Sequence, residues 1–160
     1  MILLPVENII LKSSLSEYDL KRNLLNNLEP WKAYRFFFSS SKIFEGEIIN
    51  DHFKINRITG QRNYIAPKIN GYIKDLKDHR EIGIKMTLNP FAILILIVTF
   101  VALLGFSYMG LVQNSAHYEF NLDHLGPLGI VGFMYLFMLV FFKYECYIAK
   151  NYLKQIFKAD

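Results

Sequence analysis

Two uncharged apolar runs, Phe91 to Val112 over 22 positions and Leu125 to Phe142 over 18, constrain this chain more than any other feature. A helix that crosses a bilayer needs about 20 predominantly apolar residues. Each Leu, Ile, Val or Phe near its centre favours insertion by roughly 0.3–0.6 kcal/mol. The first run has 14 of these residues and the second 11. As core helices of a soluble protein of 160 residues, two neighbouring helices apolar all round would have almost nothing to cover them. The expectation is a transmembrane hairpin: a helix over 90–112, an external loop over 113–124 and a second helix over 125–144.

Orientation follows from the basic residues. Of 18 Lys and Arg, 14 lie within residues 1–89, the other four lie from Lys143 onward, and the loop between the runs has none. Positive charge marks the cytoplasmic side, so both termini are expected in the cytoplasm and the loop, with Glu119 and Asp123, outside. No secretory leader is expected, because Pro5 and Glu7 interrupt the apolar Met1–Leu4 and no basic residue precedes it. The single Cys146 excludes an internal disulfide and reads as a reduced, half-buried filler at the cytoplasmic mouth of the second helix.

Residues 1–89 read as a cytoplasmic β-rich domain. VENIILKS over 6–13 is a strand. Ser16 with Asp19 three residues on resembles a capping box, and Leu20, Leu24 and Leu28, with Leu25 beside them, make one helical face that ends before Pro30. Beyond Trp31 the period becomes two. Strands are expected at Ala33–Phe38, around Phe44, Gly46 and Ile48, around Phe53 and Ile55, at Arg62–Ala66, around Ile69, Gly71 and Ile73, and across Ile82, Ile84, Met86 and Leu88. Asn50-Asp51, Thr59-Gly60 and Lys77–Arg80 form the turns. The pattern predicts an antiparallel meander with one wet and one buried face, a curved sheet or partial barrel wrapped on the N-terminal helix. Gly46 and Gly71 fall on the buried face, where glycine permits a bulge or a close approach. Asn89-Pro90 is a helix start with no linker before it.

Residues 145–160 predict an amphipathic helix continuing from the second apolar run. Its apolar half holds Ile148, Ala149, Tyr152, Leu153, Ile156 and Phe157; Lys150, Asn151, Lys154, Gln155 and Lys158 line the other. That half either completes the core of the β domain or lies on lipid headgroups. Gly126, Gly129 and Gly132 recur every third residue in the second run. Small residues let helices approach closely, either within the hairpin or between copies of the chain. The fold class is therefore α+β membrane protein: an N-terminal β meander with one helix, a two-helix transmembrane hairpin and an amphipathic C-terminal helix.

From Phe44 onward the run FEGEI, then HFKINRI, then RNYIAPKINGYI, followed by a strand and an apolar hairpin, resembles a group of short inner-membrane proteins of Bacteroidetes-type bacteria with no assigned activity. Arg62-Asn63 followed by Pro67-x-Ile69-x-Gly71-x-Ile73 is its most specific part. The resemblance implies architecture and a bacterial inner membrane. The arrangement is also loosely similar to YcxB-like and bacterial PH-like proteins, which join a membrane hairpin to a small β domain.

No P-loop, GxGxxG, GxSxG or HExxH motif is present, so no catalytic residue, cofactor or metal is assigned and an enzyme is not expected. Asp51-His52 and Asp78-His79 fall in turns and read as solvated. His117, Glu119, Asp123 and His124 in the loop match no metal-binding spacing. The apolar runs carry no Asp, Glu or His, which argues against ion-coupled transport. Net charge is +4, without the basic stripe or aromatic platform of a nucleic-acid binder. The expected partners are the lipid bilayer, a second copy of the chain and an unidentified protein. Two functions follow: a membrane-tethered binding or scaffolding module, or an oligomeric effector that perturbs the bilayer when its β domain senses a signal.

Overall fold

A computed structural model of the protein describes residues 4–31, 42–58, 66–76, 78–113 and 126–159. Its order is β1 (Val6–Ser13), α1 (Glu17–Asn26), β2 (Leu28–Glu29), β3 (Phe44–Ile49), β4 (His52–Arg57), β5 (Lys68–Asp75), β6 (Arg80–Thr87), α2 (Pro90–Gln113) and α3 (Gly126–Phe157). The strands expected at 33–38 and 62–66 fall outside the described residues, apart from the buried Ala66, which lies outside any strand.

The period-two segments form one mixed sheet of order β1-β6-β5-β4-β3-β2. Strands β3 to β6 are the antiparallel meander expected from the alternation. Two features depart from it. β1 returns to pair antiparallel with β6 from Val6↔Thr87 to Ser13↔Arg80. β2 adds to β3 in parallel, through Leu28↔Phe44 and Glu29↔Glu45. Among the described residues β1 and β2 are the edges of the sheet.

Local chemistry fixes the starts of the helices. The Ser16 hydroxyl accepts from Asp19 N at 3.1 Å and caps α1. Asn89 Oδ1 accepts from Phe91 N at 3.1 Å, so β6 passes into α2 across Leu88 and Asn89 alone. In the two-residue β3–β4 turn, Asn50 takes φ 54°, a conformation Asn tolerates better than most residues.

The inner face carries the predicted alternate residues: Leu11 from β1, Phe53 and Ile55 from β4, Ile69 and Ile73 from β5, and Ile82, Ile84 and Met86 from β6, all buried. Its cover differs from expectation. Leu20 and Leu24 of α1 contribute, but most of the cover is the C-terminal half of α3, through Phe142, Cys146, Ala149, Leu153, Ile156 and Phe157. Cys146 is thus fully buried, not half-buried.

Two helices are long and apolar enough to cross a membrane. The candidate segments are Pro90–Met109, with mean hydropathy 2.5, and Gly129–Phe157, with 1.5. Each keeps one narrow covered stripe. On α2 it runs through Ala92, Leu96, Thr99, Leu103 and Ser107. On α3 it runs through Val131, Tyr135, Met138 and Phe142 and continues into the domain core. Away from these stripes Leu94, Val98, Val101, Phe133, Leu136 and Val140 are each more than half exposed.

Candidate functional site

Among the described residues, polar chemistry is concentrated at two places that bear on function. One is the junction where α3 enters the domain, and the other is the outer face of the sheet.

At the junction the first charges after the apolar run are both paired to the sheet. Lys143 Nζ lies 3.0 Å from Glu7 of β1. Arg57, at the end of β4, donates through Nε (2.9 Å) and Nη2 (2.5 Å) to one oxygen of Glu145. Glu145 is 7 % exposed, so its charge is held by a charge-assisted contact away from most water. At the far end of α3 two carbonyls are claimed by the domain. The Ser13 hydroxyl donates to the Phe157 carbonyl at 2.6 Å, and the Asn23 amide to the Ile156 carbonyl at 3.2 Å. These groups would otherwise lack partners at a helix C-terminus. Helix α3 is therefore pinned at both ends of its domain segment, with Leu153 and Phe157 inserted between.

The predicted apolar half of the tail divides accordingly. Leu153, Ile156 and Phe157 are buried, Ile148 is half-buried, and Tyr152 is exposed. The Phe157 ring packs against Phe53 with centroids 5.9 Å apart. Of the two alternatives, the tail packs on the domain. The three glycines behave differently. Gly126, Gly129 and Gly132 are exposed, and a Cβ at any of them would meet nothing within 4 Å. Among the described residues they make no close contact, and the covered stripe of this half runs through Val131, Tyr135 and Met138 instead.

The outer face can be read row by row from the strand register. Asn8, Lys85, Asn70, Lys54 and Glu47 form one row across β1, β6, β5, β4 and β3. Beside it run Ile10, Gly83, Tyr72, His52 and Ile49, and then Lys12, Glu81 and Lys74. Tyr72 lies across Gly83: a Cβ on Gly83 would come within 2.3 Å of its Cε1 and Cζ. The His52 ring is 6.4 Å from that of Tyr72. The result is a shallow groove of about 400 Å³ with Asn8, Ile10, His52, Asn70, Tyr72 and Lys85 along its walls.

The two Asp-His pairs are not brought together into a site. Asp51 accepts from Lys21 of α1 at 2.9 Å. The carboxylates of Glu17 and Asp51 raise the pKa of Lys21, and Lys21 holds Asp51 below the usual carboxylate range. His79 serves the β5–β6 turn through its carbonyl, which accepts from Leu76 N at 3.0 Å. His117, Glu119, Asp123 and His124 lie outside the described residues. Among the described residues no three His, Cys, Asp or Glu side chains are grouped to hold a metal.

Sequence reasoning passed over both ion pairs and the groove. Glu145 carried a signal, because it sits four and eight residues before Ala149 and Leu153, a carboxylate on an apolar face. The groove carried none, since its members come from β1, β4, β5 and β6 and meet only through lateral pairing. No family model, no curated protein and no solved structure matches the chain.

Proposed function

We propose that the chain is a two-pass protein of a bacterial inner membrane, with both termini cytoplasmic, and that its β domain is a binding or scaffolding module held at the bilayer surface. The observation that carries this reading is the continuity of α3, which runs without a break from an apolar, exposed half into the core of the domain. The exposed apolar sides of α2 and α3 need a cover that the described residues do not supply, and lipid supplies it. With the inner face of the sheet closed by α3 and α1, the outer face is left by the described residues for a partner. The test is affinity purification of the full chain from native membranes in mild detergent. A stoichiometric partner retained by the wild type and lost on substitution of outer-face residues supports the module. Repeated recovery of the chain without any partner or ligand counts against it.

A second reading, the oligomeric effector, is favoured by one observation: the three glycines present open, exposed backbone on α3. If copies meet there, Gly132→Leu reduces crosslinking between chains in membranes. Unchanged crosslinking removes this reading.

A further inference from the structure

We propose that the outer-face groove binds a small soluble organic anion, a carboxylate or phosphate attached to an apolar or aromatic body. This inference rests on the reading of the domain as a binding module and names the chemistry of its site.

The charge pattern selects the anion. Asn8, Lys85 and Asn70 are lateral neighbours on three adjacent strands, so an ammonium stands between two amides in one row. Adjacent strands are about 4.8 Å apart, a spacing that lets all three side chains converge on one anionic group. The contrast with the row two further along, beyond Gly83, is informative. There Lys12 and Lys74 flank Glu81, so a carboxylate is already supplied. Lys85 has no acidic lateral neighbour, and it makes no ion pair among the described residues.

The adjoining row selects the body. Ile10 is 61 % exposed, and the Tyr72 ring, itself exposed, crosses above Gly83 in the space a Cβ there would take. Glycine inside a strand weakens it and marks a close approach; here the approaching group is the tyrosine ring. Together Ile10 and Tyr72 make an apolar floor one row away from the ammonium. The groove volume of about 400 Å³ falls within the range of small-molecule sites, about 300–1,000 Å³.

The experiment uses the full chain in nanodiscs of uncharged phosphatidylcholine. Phenyl phosphate and benzoate are titrated as probes, with inorganic phosphate and benzyl alcohol as half-probes, while the amide resonances of Gly71, Gly83 and Lys85 are followed. The expected result is saturable shifts with phenyl phosphate or benzoate, at least about tenfold tighter than with either half-probe. Lys85→Met weakens binding about tenfold or more with the melting temperature unchanged, Tyr72→Ser weakens it as well, and Lys74→Met leaves it intact. Absence of saturable shifts with both full probes overturns the proposal, as does binding indifferent to Lys85→Met. Repeating the titration in nanodiscs containing phosphatidylglycerol separates the sources. If that lipid alone shifts the same amides and Lys85→Met reverses the shift, the occupant is a lipid headgroup and the soluble-anion proposal fails. A protein partner captured equally by wild type and Lys85→Met would leave the module reading standing while the groove proposal fell.

Discussion

Two glycines on neighbouring strands thin the sheet from opposite sides. Gly71 of β5 lies under Phe53 on the inner face, and Gly83 of β6 lies under Tyr72 on the outer. The consequences of adding a methyl group differ because the rings differ in freedom. At Gly71 the Cβ would sit 2.1 Å from Phe53 Cζ, and Phe53 is itself pressed against Phe157. Gly71→Ala is therefore expected to cost about 1–3 kcal/mol, the usual penalty for overpacking a core. Gly83→Ala displaces only a surface ring and is expected to cost less; chemical denaturation of the two variants side by side measures the difference. The Arg57–Glu145 pair gives a second residue-scale expectation. Glu145→Leu strands a guanidinium whose side chain is 17 % exposed, with a loss near the lower end of the roughly 3–5 kcal/mol seen when one buried partner is removed. The double variant Arg57→Met, Glu145→Leu should recover part of that loss. A double variant no more stable than Glu145→Leu would show that the pair does not act as a unit.

Among the elements, α3 has the most to do, because one helix carries both an exposed apolar half and a half buried in the domain. Its domain half is tested by Leu153→Asp, which buries a charge with no partner where Leu153 is fully enclosed. The expected loss is a few kcal/mol, about 3 or more. Replacing Lys150, Lys154 and Lys158 together should leave domain stability nearly unchanged, since these side chains lie at or toward the surface; thermal unfolding in detergent compares the two. How far the sequence revealed these elements follows from their surroundings. Where one face meets water, alternation named the inner residues of β3 to β6 and the wheel of the tail named Leu153, Ile156 and Phe157. Alternation sets which face a residue takes but not which strand lies beside it. The return of β1 to β6 and the parallel β2 were therefore hidden, and the groove with them. Along the apolar half of α3 every face is apolar, so the wheel does not mark the covered stripe. Glycine spacing suggested Gly126, Gly129 and Gly132 as a contact within the hairpin or between copies; among the described residues of that half, the covered positions are instead Val131, Tyr135 and Met138.

For the molecule as a whole, the proposed orientation predicts accessibility. A cysteine at Ser115, between α2 and α3, should react with an impermeant thiol reagent from outside intact cells. A reporter fused after Asp160 should read as cytoplasmic. The native Cys146 should stay silent in the folded protein because it is fully buried, so a Cys146-free background is not needed for the first assay. Labelling of Ser115→Cys only after permeabilisation would reverse the orientation and place the sheet on the other side of the membrane.

The hydrogen bond from Ser13 to the Phe157 carbonyl joins residues 144 positions apart, and this imposes an order on synthesis. The sheet is complete in sequence at Thr87, but the helix that covers its inner face ends 70 residues later, at Phe157. At about 5–20 residues per second, the apolar side of the sheet waits roughly 3–14 s for its cover. During that interval α2 and the first half of α3 emerge and must find their own surroundings. The hairpin is thus committed before the domain ahead of it can close. If the hairpin inserts in the bilayer as proposed, a chain broken off after Phe142 but before Leu153 carries a sheet that lacks the Leu153, Ile156 and Phe157 cover and is already fastened to the membrane, a form that proteolytic surveillance can distinguish from the finished protein.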